Sequence, residues 1–221
     1  MKPFLSLIGR DLVIGWRRKT QIYQPLIFQL LVVTMFPLGL GAGAQLLQNI
    51  APAVMWILAL LASLLTLEEI FKNDFNDGSL EVYVLSGLDL PAAALAKATA
   101  HWLLSGLPLI LFSPVIAVLL HLPAESYGIL MLSLLLGTPI FSLFGAVGSA
   151  LIMRQNNGGL LLCIIIMPLL TPVLIFGAGA VLESALGNNP LSHLLLLTAL
   201  LILALLSLPF ACSAVIKTNL E

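Results

Sequence analysis

Residues 20–67 read TQIYQPLIFQLLVVTMFPLGLGAGAQLLQNIAPAVMWILALLASLLTL, and no Lys, Arg, His, Asp or Glu interrupts them. A helix crosses the hydrocarbon core of a bilayer in about 20 residues, so this stretch is too long for one span. It suits two, with a turn where Gly, Gln and Asn gather at 43–49, giving spans 25–43 and 50–67. The same reading predicts further spans at 102–120, 127–153, 160–182 and 191–216. Span 127–153 is long enough to tilt or kink. In hydrocarbon every backbone polar group must be satisfied internally, which a helix does within its own segment. The expected fold is an all-α integral membrane protein of six transmembrane helices, one permease domain over residues 1–221.

Composition agrees. The chain has 221 residues, 60% hydrophobic and 9% charged, and its mean hydropathy is +1.12. A soluble domain carries about 25% charged residues, so these charges cannot coat a water-soluble globule. Disordered chains are poor in apolar residues, which excludes that class. With a formal net charge of −1 there is no basic field for nucleic acid. Cys163 and Cys212 lie inside apolar runs and read as small hydrophobes. Residues 1–24 hold Arg10, Arg17, Arg18 and Lys19 without a continuous apolar core, so no cleavable signal peptide is expected.

Lys and Arg set orientation. Lys2, Arg10, Arg17, Arg18 and Lys19 precede the first span, Lys72 and Lys97 lie between the second and third, Arg154 follows the fourth, and Lys217 ends the sixth. The opposite connections, around Gln45, Glu125 and Glu183, carry none. Both termini are therefore expected in the cytoplasm. Ahead of the first span, Phe4, Leu5, Ile8, Leu12 and Trp16 share a helical face, with Arg10, Asp11, Arg17 and Arg18 opposite. Residues 1–24 thus read as an amphipathic helix lying in the bilayer interface. A plain charged topology signal is the other reading.

The spans carry almost no ionisable residue, which speaks against a proton- or sodium-coupled carrier or a self-contained channel. There is no GxxxxGK[ST] phosphate loop and no HExxH. Ser192 and His193 adjoin in sequence, but helix neighbours do not face one another, so no nucleophile–base pair supports a membrane enzyme. If the chain does work, a partner supplies the energy. Prolines at 37, 108, 114, 139, 168, 172 and 209 read either as hinges or as ordinary membrane usage. Gly145 with Ser149, and Gly177 with Gly179, suit close helix packing.

The connection 68–101 stands apart; with its leading Leu67 it reads LEEIFKNDFNDGSLEVYVLSGLDLPAAALAKATAH. Phe71 and Phe75 fall one helical turn apart beside Glu68, Lys72 and Asn76. Asp77 and Gly78 make a turn; Ser79 and Glu81 suit the start of a second short helix with Leu80, Val84 and Leu88 as its stripe. Pro91 suits the first turn of the helix entering the third span. The acids Glu68, Glu69, Asp74, Asp77 and Glu81 disfavour an anionic lipid surface. The segment is therefore expected to dock into a protein groove.

The motif LEEIFKNDFNDGSLE (67–81), followed by LPAAALAKATAHWLLSGLPLILFSP (90–114), resembles the haem exporter protein B (CcmB) family of cytochrome c maturation, within the ABC-2 type permeases. FPLGLG (36–41), IAPAVMWILALLASLLTLE (50–68) and LLLGTP (134–139) add to the resemblance. It implies a non-catalytic permease subunit of the bacterial inner membrane, with both termini on the cytoplasmic side. This subunit would pair with a second copy of itself and with two copies of a separate ABC ATPase subunit. ATP would be bound only by that ATPase. Haem-handling inner-membrane proteins and a periplasmic haem chaperone would work alongside. On this view Phe71 and Phe75 are apolar anchors in the ATPase groove. Lys72, Asp74, Asp77 and Glu81 fix orientation at the rim, and Glu69 and Gly78 complete the docking segment. Histidine can ligate haem iron axially, so His101 with Trp102, His121 and His193 are candidate haem or partner contacts. Interfacial side chains wetted at their tips are the alternative. No metal site and no covalently held cofactor is expected.

Overall fold

A computed structural model describes residues 2–17, 20–41, 43–86, 89–155 and 158–220. Arg18, Lys19 and Leu88, named above, lie outside them. The described residues contain helices and no strand. In chain order the helices are α1 (Lys2–Arg17), α2 (Thr20–Leu40), α3 (Ala44–Leu67), α4 (Glu69–Asn76), α5 (Ser79–Leu85) and α6 (Leu90–His101). A π-helical turn, Trp102–Gly106, joins α6 to α7 (Leu107–Leu119), followed by α8 (Tyr127–Ile152), α9 (Gly158–Ala185) and α10 (Leu191–Leu220). Six helical stretches are long and apolar enough to cross a membrane: Ile22–Leu40, Ala44–Asn76, Leu90–Leu119, Ala124–Ile152, Gly158–Ala185 and Leu191–Asn219. The protein is an all-α integral membrane protein.

Two helix limits differ from the sequence-based ones. The first turn falls at Gly41, where φ is +82, a left-handed conformation that glycine adopts without a Cβ clash and that commonly ends helices. Gln45 and Asn49, read above as turn residues, lie within α3. The third apolar helix starts at Leu90 rather than at Trp102, with Pro91 in its first turn. Within it the Leu107 amide reaches back to the Trp102 carbonyl, a π-type bond. Pro108 has no amide hydrogen for the ordinary ladder there.

The core forms where α3, α8 and α9 meet. Trp56 of α3 is fully buried and lies edge-on to Phe141 of α8, ring centroids 6.0 Å apart. Glycines make room for it: a Cβ on Gly137 would sit 2.4 Å from Trp56 Cη2, and one on Gly177 2.1 Å from Cζ2. Gly145 likewise admits Leu67, whose Cδ2 would be 2.2 Å from an added Cβ. Lipid tails are as apolar as leucine, so such close packing, rather than exclusion from water, holds membrane helices together.

Most of the described charged residues collect at one end of the bundle, whereas Glu125 and Glu183 lie at the other. Ser149 Oγ of α8 donates to the Glu68 carbonyl at the end of α3 (3.0 Å) and accepts from the Phe71 amide (3.1 Å). Asn219 Nδ2 of α10 donates to the Ala150 carbonyl (3.2 Å). Arg154 follows α8, and Lys217 stands in the last turn of α10. At the other end Ser184 of α9 meets Ser126, ahead of α8, at 3.2 Å.

Candidate coupling site at the charged end of the bundle

At this end the 68–101 segment folds into α4, a tight turn, α5 and the start of α6. Glu68 keeps helical dihedrals between α3 and α4, so α4 nearly continues α3 and inherits a face toward the bundle. Ile70, Phe71 and Asp74 occupy that face. Phe71 is only 1% exposed, and its ring lies 5.6 Å from Lys97 Nζ. The expectation that Phe71 anchors a partner's groove is therefore corrected: it is a core residue of its own chain. Phe75, one turn on, is half-buried against the same core. Periodicity identified an apolar face on α4, but this bundle is what covers it.

Asp74 is corrected for the same reason. It is 7% exposed and accepts from Arg10 of α1 (3.0 Å) and Lys97 of α6 (2.6 Å). Lys97, itself 5% exposed, also reaches Asp11 of α1 (3.0 Å) and the Ile70 carbonyl (3.3 Å). Arg10 contacts Asp11 at 2.8 Å. Each cation thus meets each carboxylate, closing a square of four charges between α1, α4 and α6. Burial works against the Arg10 charge, but the Asp11 hydrogen bond and the neighbouring carboxylates outweigh it and raise its pKa. Asp11, read above with the polar outer face of the first helix, instead turns inward. Leu5, Val13 and Trp16 keep the outer face exposed.

The remaining segment residues stand outward. Glu69, Asn76, Asp77 and Glu81 are exposed, and Lys72 is half-buried in an ion pair with Glu68. Gly78 takes φ +75 and turns the chain into α5. Asp77 Oδ1 accepts from the Ser79 amide at 2.9 Å; hydrogen bonds from Ser79 hold its carboxyl below the usual carboxylate range. On α5, Leu80 is buried, whereas Val82 is 61% and Leu85 86% exposed. Tyr83 lies under Arg10, 5.4 Å from guanidinium carbon to ring centroid, and burial pushes its hydroxyl up to about 12.

The candidate haem contacts do not form one site. His101 places Nε2 2.9 Å from Thr66 Oγ1 and Nδ1 2.9 Å from Ser142 Oγ, so both ring nitrogens are engaged within the bundle. Trp102 Nε1 donates to Thr138 Oγ1 at 2.9 Å. His121 is exposed at the far end of α7, with φ +56. It occupies the left-handed closing position where the Leu122 amide bonds back to the Ala117 carbonyl. His193 is half-buried at the start of α10 beside Phe176, centroids 6.5 Å apart. Among the described residues, no three of His, Cys, Asp and Glu are placed to hold a metal ion.

The model of the family described as CcmB protein matches residues 2–219. Curated relatives named Heme exporter protein B align over nearly their whole length. The Pseudomonas aeruginosa protein is 48% identical over 98% of this chain and 97% of its own. The Haemophilus influenzae protein is 48% identical over 99% of each, and the Escherichia coli K12 protein 42% over 99% of each. The chain belongs to the CcmB protein family.

In this CcmB-family chain, sequence reasoning found the segment and its turn but missed Arg10, Asp11 and Lys97 as members of the same site. One signal was available. Lys97 is a lone cation in the run PAAALAKATA, and a lysine among small apolar residues on a helix entering the membrane needs a partner. Nothing in the sequence pointed to Val82 and Leu85 as the exposed apolar pair. The stripe read from spacing used Leu80, Val84 and Leu88 instead.

Proposed function

We propose that this chain is the membrane subunit of an ATP-driven haem-export complex serving cytochrome c maturation in the bacterial inner membrane. Support comes first from membership of the CcmB family and from relatives named Heme exporter protein B. The chain has no phosphate loop, so ATP is hydrolysed by a separate ABC ATPase subunit, present in two copies against two copies of this chain. Haem-handling membrane proteins and a periplasmic haem chaperone act beside it, with haem as handled ligand rather than resident cofactor. Both termini and the charged end face the cytoplasm, as the one-sided Lys and Arg favour.

The observation that carries the docking assignment is the surface around α5. Val82 and Leu85 are exposed on α5, and Asp77, Glu81 and Ser86, close to them in sequence, are exposed as well. An apolar pair inside a polar rim is the arrangement of an interface centre, where a few desolvated side chains dominate affinity. Rim charges set orientation and partner choice. The docking surface is thus α5 with the exposed side of α4, and Phe71 supports it from beneath.

The test is co-purification of the ATPase with Val82→Ser/Leu85→Ser at equal membrane levels. Loss of two interface anchors, on the order of 2 kcal/mol each when central, removes the ATPase from the purified complex. Full retention would move the docking surface elsewhere. Cysteine labelling from outside intact cells checks orientation. A probe at Glu125 should react and one at Asn76 should not.

A further inference from the structure

Burying four charges is a costly way to hold three helices. Replacing buried ion pairs with packed apolar side chains is often neutral or stabilising, whereas removing one partner is strongly destabilising. The square of Arg10, Asp11, Asp74 and Lys97 is therefore poorly explained as a source of stability alone. Its geometry suits another task. The carboxylate of Asp74 is the point on α4 where both cations converge, at 2.6 Å from Lys97 and 3.0 Å from Arg10. On α6, Lys97 is the long buried side chain amid Ala93, Ala94, Ala96, Ala98 and Ala100, which offer a neighbouring helix little to grip.

Two further features permit movement. A small cavity of about 70 Å³ lies beside the square, with Asp11, Asp74, Lys97 and His101 among its lining residues. The cavity is half open to the surface and leaves room beside α1. Directly beyond α6 comes the π-helical turn Trp102–Gly106, and such turns interrupt regular helix geometry, frequently at functional sites. Trp102, the first residue of that turn, is bonded to Thr138 of α8.

We propose that the Asp74–Lys97 ion pair, squared off by Arg10 and Asp11, is the strut that carries displacement of α4 into α6 and α1. When α4 and α5 move, Asp74 draws Lys97 with it, and α6 pivots on the π turn. Arg10 and Asp11 bring the amphipathic α1 along. The four residues are positioning residues: they touch neither nucleotide nor transported substrate. This inference rests on the docking reading above, and the experiment separates the two.

The test uses the whole complex in membranes with two charge-balanced double variants. Asp74→Asn with Lys97→Gln leaves Arg10 paired with Asp11 and removes the charge pairing between α4 and α6. Asp74→Leu with Lys97→Met fills the same space without polarity. Four quantities are measured: membrane level of the chain, retained ATPase, ATP hydrolysis, and maturation of c-type cytochromes. Both variants should remain inserted, keep the ATPase and hydrolyse ATP near the wild-type rate. Maturation should fall about ten-fold, the size of an ordinary coupling free energy between sites. A complex that is assembled and hydrolysing but unproductive is a signature that loss of fold does not produce. Maturation near wild type in either variant would overturn the strut. So would loss of the chain from the membrane in both, which would make the square a folding element. Failure of the wild-type chain to hold an ATPase would instead refute the docking reading.

Discussion

α4 and α5 are neighbours of similar length, and both carry apolar residues, yet they place them differently. α4 turns Ile70 and Phe71 into its own bundle. α5 buries Leu80 and leaves Val82 and Leu85 in the open. The difference arises at their starts. α4 follows α3 almost without a break, and Ser149 pins the junction by bonding both the Glu68 carbonyl and the Phe71 amide. α5 begins after the left-handed Gly78, which redirects the chain so that only one edge of the helix returns to the bundle. Amphipathic spacing declares that a face will be covered; the chain path decides by what.

The largest effect that would break this contrast is at Phe71. Phe71→Ala should cost about 3–5 kcal/mol, the range for truncating a buried aromatic, read as a lowered unfolding midpoint of the purified chain in detergent. Leu85→Ala should leave that midpoint unchanged while weakening ATPase retention. Equal destabilisation by both would erase the distinction between supporting and docking helix. Next comes Asp74→Ala alone, which leaves Arg10 and Lys97 sharing the single carboxylate of Asp11. Breaking a buried pair costs about 3–5 kcal/mol when complete; part of that is recovered through Asp11, so a smaller loss than at Phe71 is expected in the same assay. Gly177→Ala sets an added Cβ against the Trp56 ring. Overpacking of this kind costs about 1–3 kcal/mol, and pairing it with Trp56→Phe should recover part of the loss.

The smallest effects are at the rim. Lys72→Ala removes a half-exposed ion pair with Glu68, and its midpoint should shift by about 0–1 kcal/mol or less. For Asp77 the folded-state pKa is lowered by the Ser79 hydrogen bonds. Its contribution is then fully present above the unfolded-state value of about 3.9 and lost as pH falls through the folded value. Holding of the α4–α5 turn should be indifferent to pH from 8 down to about 5 and weaken only in stronger acid. Amide exchange at Ser79 against pH, compared with Asp77→Ala, reads this directly. A change near neutrality would mean that another group controls the turn.

Much was legible beforehand because membrane burial is demanding. The charge-free run 20–67, the remaining apolar stretches and the glycine–serine pair at 145 and 149 all carried their structural meaning in residue type and spacing. Gly145 does receive Leu67, and Gly177 does receive Trp56. The 68–101 connection was legible as a distinct patterned segment but not in its assignment of faces. Phe71 and Asp74 were read as partner-facing because spacing on an eight-residue helix has no reference to what lies behind it. His101 looked like a wetted interfacial residue or a ligand; Thr66 and Ser142, far away in sequence, turn it into an interhelical cross-link.

By itself, then, the sequence determined an all-α membrane chain of six apolar helices, the clustering of Lys and Arg in alternate connections, and the family. Those follow from local rules: backbone satisfaction in hydrocarbon, the length of a span, and motifs that keep their residues in order. Tertiary structure alone decided that Arg10, Asp11, Asp74 and Lys97 close into one square, that Phe71 is buried in its own bundle, and that Val82 and Leu85 are exposed. A buried charge is tolerable only where opposite charges reach it, and those partners come from helices whose meeting no local pattern encodes.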